Sequence, residues 1–170
     1  MKKLFFLVLL VAITGASTFA QQDKSKRPSP PAKISATTKT GVTITLDYSR
    51  PAVKGRTIGT EIATYGEVWR TGANEATVFE VNQDVKVEGQ ALKAGKYGLY
   101  TIPGEKEWTV IFNKTWNQWG TNYKQADDVI RVKVKPGKAS TFNEKLTFAI
   151  ADNGTVSMMW GDTQVDFRVK

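Results

Sequence analysis

The chain has 170 residues and a formal net charge of +8, and it contains neither cysteine nor histidine. The lack of these two residue types excludes thiol nucleophiles, imidazole acids and bases, and the usual ligands of structural zinc. The cations are scattered without a recognition helix or a nucleic-acid-binding motif, so we expect solvated charges and no nucleic-acid partner.

Residues 1–20 have the pattern of a cleavable secretory signal. Lys2 and Lys3 give a positive start, residues 4–13 are an unbroken apolar run, and Ala20 closes a motif of small residues that signal peptidase reads. The apolar run is shorter than the roughly 20 residues that span a bilayer. The sequence therefore predicts export to the periplasm or the medium, with no membrane span. A lipid anchor is excluded because there is no cysteine to acylate.

Residues 21–32 differ in composition from the rest of the chain. They hold three of the six prolines and almost no apolar side chain. Such a composition cannot bury enough surface to order itself, so it predicts a disordered tether. The folded domain is then expected to cover residues 33–170.

Alternating apolar and polar residues follow, as in strands with one buried face. The first such strand is predicted at residues 42–48. The others are 76–81, 85–87, 97–102, 108–113, 130–134, 146–150, 156–160 and 165–169. Turns are predicted at Asn153-Gly154, where a type I′ hairpin turn fits, and at 161–162 and 136–137. Short strands, frequent turns and no long helical pattern predict a single all-β, antiparallel sandwich of jelly-roll type.

The connection between the strands at 42–48 and 76–81 is long and lacks periodicity, and such connections are often functional. Arginines in this connection would grip an anion bidentately. Alternatively, they pair with nearby carboxylates and lock the segment against the sandwich. The candidate ligand-binding residues here are Arg50, Arg56, Trp69, Arg70, Asn74 and Glu75.

A second irregular stretch, residues 114–123, is rich in aromatic and amide side chains. Trp116, Trp119 and Tyr123 are its candidate ligand-binding residues. An aromatic and amide loop on a β-sandwich can stack on sugar rings and bind their hydroxyls. Alternatively, the loop folds back over the edge of the sandwich. Trp108 and Trp160, by contrast, are in phase with inward strand positions and are predicted to lie in the core.

Two acidic pairs, Asp127-Asp128 and Glu105 with Glu107, are candidates for calcium binding or glycosidase chemistry. Neither has the spacing of a calcium loop, and adjacent carboxylates on a strand point to opposite faces. We therefore predict neither a metal site nor a cofactor.

Several short motifs are distributed along the chain: DYSRP at 47–51, KGR at 54–56, VWRTGANEAT at 68–77, AGKY at 94–97, IP at 102–103, WTVIFN at 108–113 and WG at 119–120. In these motifs the chain resembles, from about Ser29 to its end, a family of exported bacterial proteins known as the domain of unknown function 2911. The resemblance implies export and a β-rich fold. It supplies no activity and no catalytic residues.

The leading hypothesis is an envelope module that binds a small polar or anionic ligand, such as a glycan, between residues 50–75 and 116–123. A rival is a glycan hydrolase or lyase that uses Glu75, Asp47 or Tyr48 for acid-base chemistry, so enzymatic activity stays open. A third is a structural or assembly protein of the envelope, which binds through the basic tether and an exposed sheet edge.

Overall fold

The computed structural model describes residues 23–170; the predicted signal peptide lies outside the described residues. Ten strands make up most of the described chain, with short 3-10 turns at Lys24–Lys26 and Gln125–Asp127. The strands are β1 Pro31–Thr37, β2 Thr43–Ser49, β3 Thr77–Val81, β4 Val85–Val87, β5 Gln90–Leu92, β6 Gly95–Ile102, β7 Trp108–Asn113, β8 Asp128–Val134, β9 Pro136–Ile150 and β10 Thr155–Arg168. No helix within residues 23–170 is long and apolar enough to cross a bilayer.

A six-stranded sheet and a long hairpin form the two layers of the fold. The large sheet has the order β1-β2-β3-β6-β7-β8, with every neighbouring pair antiparallel. The hairpin of β9 and β10 forms the second layer, and β4 and β5 form a small separate hairpin. The predicted all-β antiparallel sandwich is confirmed. Within the large sheet the connections are those of a meander, whereas a jelly roll crosses between its two sheets.

One hydrophobic core lies between the two layers. Alternation along β2 buries Ile44 and Leu46 completely and leaves Asp47 exposed on the opposite face. Across the core, Phe112 of the large sheet meets Phe167 of the hairpin edge to face, with ring centroids 5.8 Å apart. The prediction that Trp108 and Trp160 lie in the core is confirmed, since their exposed fractions are only 2% and 3%.

The β9–β10 hairpin turns where Asn153-Gly154 was predicted to turn, and the Gly154 N–H donates to the Ala151 carbonyl at 2.9 Å. Gly154 has a positive φ of 87°, but Asn153 lacks the positive φ of a type I′ turn, so the predicted turn type is wrong. The turns predicted at 161–162 and 136–137 are wrong, because both pairs lie inside strands. Gly161, at φ 57°, sits between two shifts of register, where the strand bulges without ending. Pro136 is the first residue of β9, a position that tolerates a missing N–H.

The chain before the sheet is attached to it. The first strand includes Pro31 and Ala32, the last two residues of the predicted tether. β1 is an edge strand, where a proline at the start interrupts no inner ladder. Upstream, Arg27 binds Glu75 through its guanidinium.

Candidate functional site

A cavity of about 550 Å³ lies on the polar face of the large sheet, opposite the core. Its floor includes Asp47 and Val78, which are neighbours in the register of β2 and β3. Its walls are residues 116–119 on one side and the chain before β1 on the other. The side chains that matter below are Lys24, Arg27, Asp47, Glu75, Trp116 and Trp119.

Residues 114–124, here called the tryptophan loop, cross the outer face of the sheet at Gly98. A Cβ on Gly98 would lie 2.9 Å from the Tyr100 ring and 3.1 Å from the Thr115 carbonyl oxygen. The bare backbone of Gly98 therefore lets the loop approach the sheet directly. Gln118 fastens the loop, because its Nε2 donates to the Tyr100 hydroxyl and to the Thr115 carbonyl, both at 3.0 Å.

The tryptophan loop is joined to the end of the irregular segment through backbone hydrogen bonds. The Ala76 N–H donates to the Gln118 carbonyl at 3.1 Å, and the Gly120 N–H donates to the Asn74 carbonyl at 3.0 Å. The two segments in which the sequence placed its candidate residues therefore lie side by side. Glycine is required at position 120, since a Cβ there would collide with the Arg70 side chain.

Residues 71–74 have a strained backbone at this junction. Thr71 and Asn74 adopt φ values of 52° and 62°, and a positive φ is costly for a β-branched residue such as threonine. Hydrogen bonds to distant parts of the chain anchor this segment: the Asn74 side chain donates to the Ser29 carbonyl at 3.1 Å and to the Ser49 hydroxyl at 3.2 Å. Asn74 therefore positions the chain before β1 against the sheet.

Glu75 is the most strongly perturbed carboxylate of the cavity. Arg27 donates to both of its oxygens, at 3.0 and 2.9 Å, and Lys24 lies 3.0 Å away. Burial raises the pKa of Glu75, but its own backbone N–H and the hydrogen bonds from Lys24 and Arg27 outweigh burial and lower the pKa to about 2. Glu75 is therefore ionised at any physiological pH.

The two tryptophans of the loop offer accessible ring surface. Trp119 is 47% exposed. Trp116 is half-buried, and the Lys96 ammonium lies 5.1 Å from its ring centroid. A smaller cavity of about 90 Å³ shares Asp47, Val78 and Trp116 with the first. The two cavities thus extend as a groove along β2 and β3.

Two of the predicted site residues lie away from this groove. Arg50 donates from Nε to the Leu146 carbonyl at 3.0 Å and from its terminal nitrogen to the Thr147 hydroxyl at 2.9 Å. Arg56 donates to the carbonyls of Val53 and Ala52, within its own segment. Both arginines hold the irregular segment in place, and each does so through oxygens other than carboxylates.

Three further predicted residues, Trp69, Arg70 and Tyr123, line a separate cavity of about 370 Å³, here called the second cavity. Trp69 stacks on Trp160 with ring centroids 5.1 Å apart and an interplanar angle of 9°. It therefore joins the irregular segment to the core. The Tyr123 hydroxyl donates to Asp128 at 2.7 Å.

Burial and the hydrogen bond to Asp128 raise the pKa of Tyr123 to about 12, against the opposing charge of Arg131. Tyr123 is therefore neutral at physiological pH. Among residues 23–170, no group of three or more carboxylates is placed to hold a metal ion.

Lys24 and Arg27 entered the sequence interpretation only as part of the basic tether of an assembly protein, and Gln118 was not singled out; all three line the cavity. The first two lie in the segment whose composition predicted disorder, and their partner Glu75 is 48 positions after Arg27. No local pattern signals such a distant pair. Gln118 lies between the two tryptophans that were singled out, so its position in the loop was the available signal.

Comparison with known proteins gives one match. The family model described as "Protein of unknown function (DUF2911)" matches residues 29–169, in agreement with the resemblance seen in the motifs. No curated protein and no solved structure matches the chain.

Proposed function

We propose that this chain, which belongs to the DUF2911 family, is an exported module that binds a glycan in the cavity beneath the tryptophan loop. This proposal rests on the placement of two accessible indoles, Trp116 and Trp119, beside carboxylate and amide groups. All of them line the cavity on the polar face of the large sheet. An indole face packs on the C–H face of a sugar ring, and the polar groups bind its hydroxyls.

The charges of the cavity favour a neutral ligand. Lys24 and Arg27 oppose Glu75 and Asp47, and both cations already contact Glu75. A polyanion would have to displace Glu75 from these partners. A neutral glycan needs only hydrogen-bond donors and acceptors, which the cavity offers in Asn117 and Gln118.

The geometry supports binding better than hydrolysis. A glycosidase needs a carboxylic acid whose pKa is raised, so that it is protonated near neutral pH. Glu75 has the opposite property, with a pKa of about 2. The Tyr48 hydroxyl accepts a hydrogen bond from the Phe148 N–H at 3.2 Å, within the core layer. Neither residue is therefore placed as the general acid.

Calorimetric titration of the purified protein with neutral oligosaccharides tests this proposal. The probes are hexamers of α- and β-linked glucose and of β-linked N-acetylglucosamine. We expect saturable binding of at least one probe and about tenfold weaker binding by Trp119→Ala, which corresponds to about 1.4 kcal/mol of lost stacking. Phe142→Ala is the matched control, because Phe142 is 56% exposed on β9 and does not line the cavity.

Two results would contradict glycan binding in this cavity. One is the absence of saturable heat with all three probes. The other is an equal loss of affinity in Trp119→Ala and Phe142→Ala, which would place the sugar elsewhere or show a general loss of structure.

A further inference from the structure

The side chain of Arg70 differs from the other arginines in what it contacts. Four of the six arginines donate to protein oxygens: Arg27, Arg50, Arg56 and Arg131. Arg168 is exposed to solvent. Arg70 is half-buried, yet within residues 23–170 its guanidinium forms no ion pair and no hydrogen bond, and its Nε is buried without an acceptor.

A buried donor without an acceptor is destabilising and calls for a specific explanation. The aliphatic stem of Arg70 packs against the backbone of Gly120, where an added Cβ would overlap the Arg70 Cδ. The tryptophan loop thus restricts the stem that carries the guanidinium. Restricting a donor side chain in this way lowers the entropy that it loses on binding a ligand.

The positive charge of Arg70 is also uncompensated locally. Burial raises the pKa of Tyr100, and the charges of Arg70 and Asp128 act on it in opposite directions. Asp128 is already engaged, because it accepts hydrogen bonds from Tyr123 at 2.7 Å and from Arg131 at 2.8 Å. Asp128 forms its ion pair with Arg131, at 2.7 Å, and within residues 23–170 no carboxylate forms one with Arg70.

Open space adjoins the guanidinium. The second cavity, of about 370 Å³, is lined by Val68, Trp69, Arg70, Gly120, Thr121 and Tyr123. None of these residues carries a negative charge at neutral pH, since the pKa of Tyr123 is about 12. The volume is in the range of small-ligand sites.

We propose that Arg70 and this cavity form a binding site for an oxyanion: a carboxylate, phosphate or sulfate group. The two terminal nitrogens of the planar guanidinium offer parallel N–H donors to such a group, whereas Nε is buried. The site is distinct from the glycan cavity, because residues 116–119 line the one and residues 120, 121 and 123 line the other. Either site can therefore exist without the other.

Nuclear magnetic resonance of the arginine Nε–H groups tests this proposal directly. Purified protein is titrated in parallel with sodium acetate, sodium phosphate and sodium sulfate, with sodium chloride keeping the ionic strength constant. We expect a saturable shift of the Arg70 Nε–H, with a dissociation constant in the millimolar range. Saturation by acetate alone identifies a carboxylate site, and saturation by phosphate or sulfate identifies a tetrahedral oxyanion site.

The matched variants are Arg70→Gln and Arg168→Gln, which remove the same charge from a half-buried and an exposed position. The Thr121 amide reports on the cavity in both. We expect its saturable shift to disappear in Arg70→Gln and to persist in Arg168→Gln. If Arg70→Gln does not fold, Arg70→Lys replaces it, with an expected affinity at least fivefold below that of the wild-type protein because the bidentate fork is lost.

Three outcomes would overturn the proposal: shifts that stay linear with every anion, shifts that chloride reproduces, or saturation with the same constant in the Arg70 variant. Trp119→Ala separates this proposal from the one on glycans. It is expected to weaken sugar binding and to leave the anion titration of the Arg70 Nε–H unchanged.

Discussion

At the scale of single residues, Glu75 shows how one carboxylate organises the candidate site. It draws Lys24 and Arg27 onto the sheet from the chain before β1. It also precedes β3 and forms an isolated bridge with Trp119 of the tryptophan loop. Three separate parts of the chain therefore meet at this residue. Protonation of the Glu75 carboxylate would weaken its contacts with Lys24 and Arg27.

Glu75→Gln is expected to destabilise the protein by about 1 kcal/mol at pH 7, the upper range for exposed ion pairs, because the Glu75 side chain is 40% exposed. The pKa of Glu75 is lowered in the folded protein, from its usual value near 4.5 to about 2. The contribution of Glu75 is therefore complete above pH 4.5 and is lost as the pH falls towards 2. Urea unfolding of both proteins at several pH values measures the difference.

The control for this prediction is Glu67→Gln. Glu67 is exposed, and its side chain has neither an ion pair nor a hydrogen bond within residues 23–170. Its substitution removes the same charge without breaking a contact. A difference between wild-type and Glu75→Gln protein that persists at pH 2, or that Glu67→Gln reproduces, would contradict the coupling.

At the scale of elements, the backbone of the tryptophan loop approaches the backbone of β6 at Gly98. Gly98→Ala is expected to destabilise the protein by about 1–3 kcal/mol, because the new Cβ meets the Thr115 carbonyl at 3.1 Å and the loop must move outward. The same shift should weaken glycan binding. Urea unfolding and the indole resonances of Trp116 and Trp119 measure the two effects.

The matched glycine is Gly137 in β9, where a Cβ would have its nearest neighbour, the Gln164 carbonyl oxygen, at 3.9 Å. Gly137→Ala therefore adds the same methyl group without a clash. Equal stability of the two alanine variants would show that the close approach at Gly98 does not constrain the loop.

At the scale of the whole molecule, both layers contribute to one core. The cluster of buried side chains contains Phe79 and Phe112 from the large sheet together with Leu146, Met158 and Phe167 from the hairpin. A two-stranded hairpin is marginal in isolation, so its stability depends on this shared core. The layers should therefore fold and unfold together.

We expect a single cooperative unfolding transition, with the same urea midpoint by tryptophan fluorescence and by far-ultraviolet circular dichroism. Fluorescence is weighted towards the three inner tryptophans, of which Trp69 packs against both Trp108 and Trp160. Circular dichroism reports on all strands. Midpoints that differ beyond error would show that the hairpin or the irregular segment unfolds separately.

The sequence by itself determined the fold class. Alternation with a period of two specifies which face of a strand is buried, and this requirement is local, so residues 42–48 are enough to reveal it. Where a local pattern is compatible with two backbone conformations, the sequence alone does not predict which of them forms. Gly161 permits either a turn or a bulge, and only the continued pairing of β10 with β9 selects the bulge.

The partners of the charged and aromatic residues were decided by the tertiary structure alone. The sequence left the arginines between an anion pocket and internal pairing, and the fold divides them: Arg50 and Arg56 are bound by protein oxygens, and Arg70 is not. A guanidinium binds whatever oxygen the fold brings within about 3 Å. That distance depends on contacts between residues far apart in the chain, such as Arg27 with Glu75, and no local pattern encodes it.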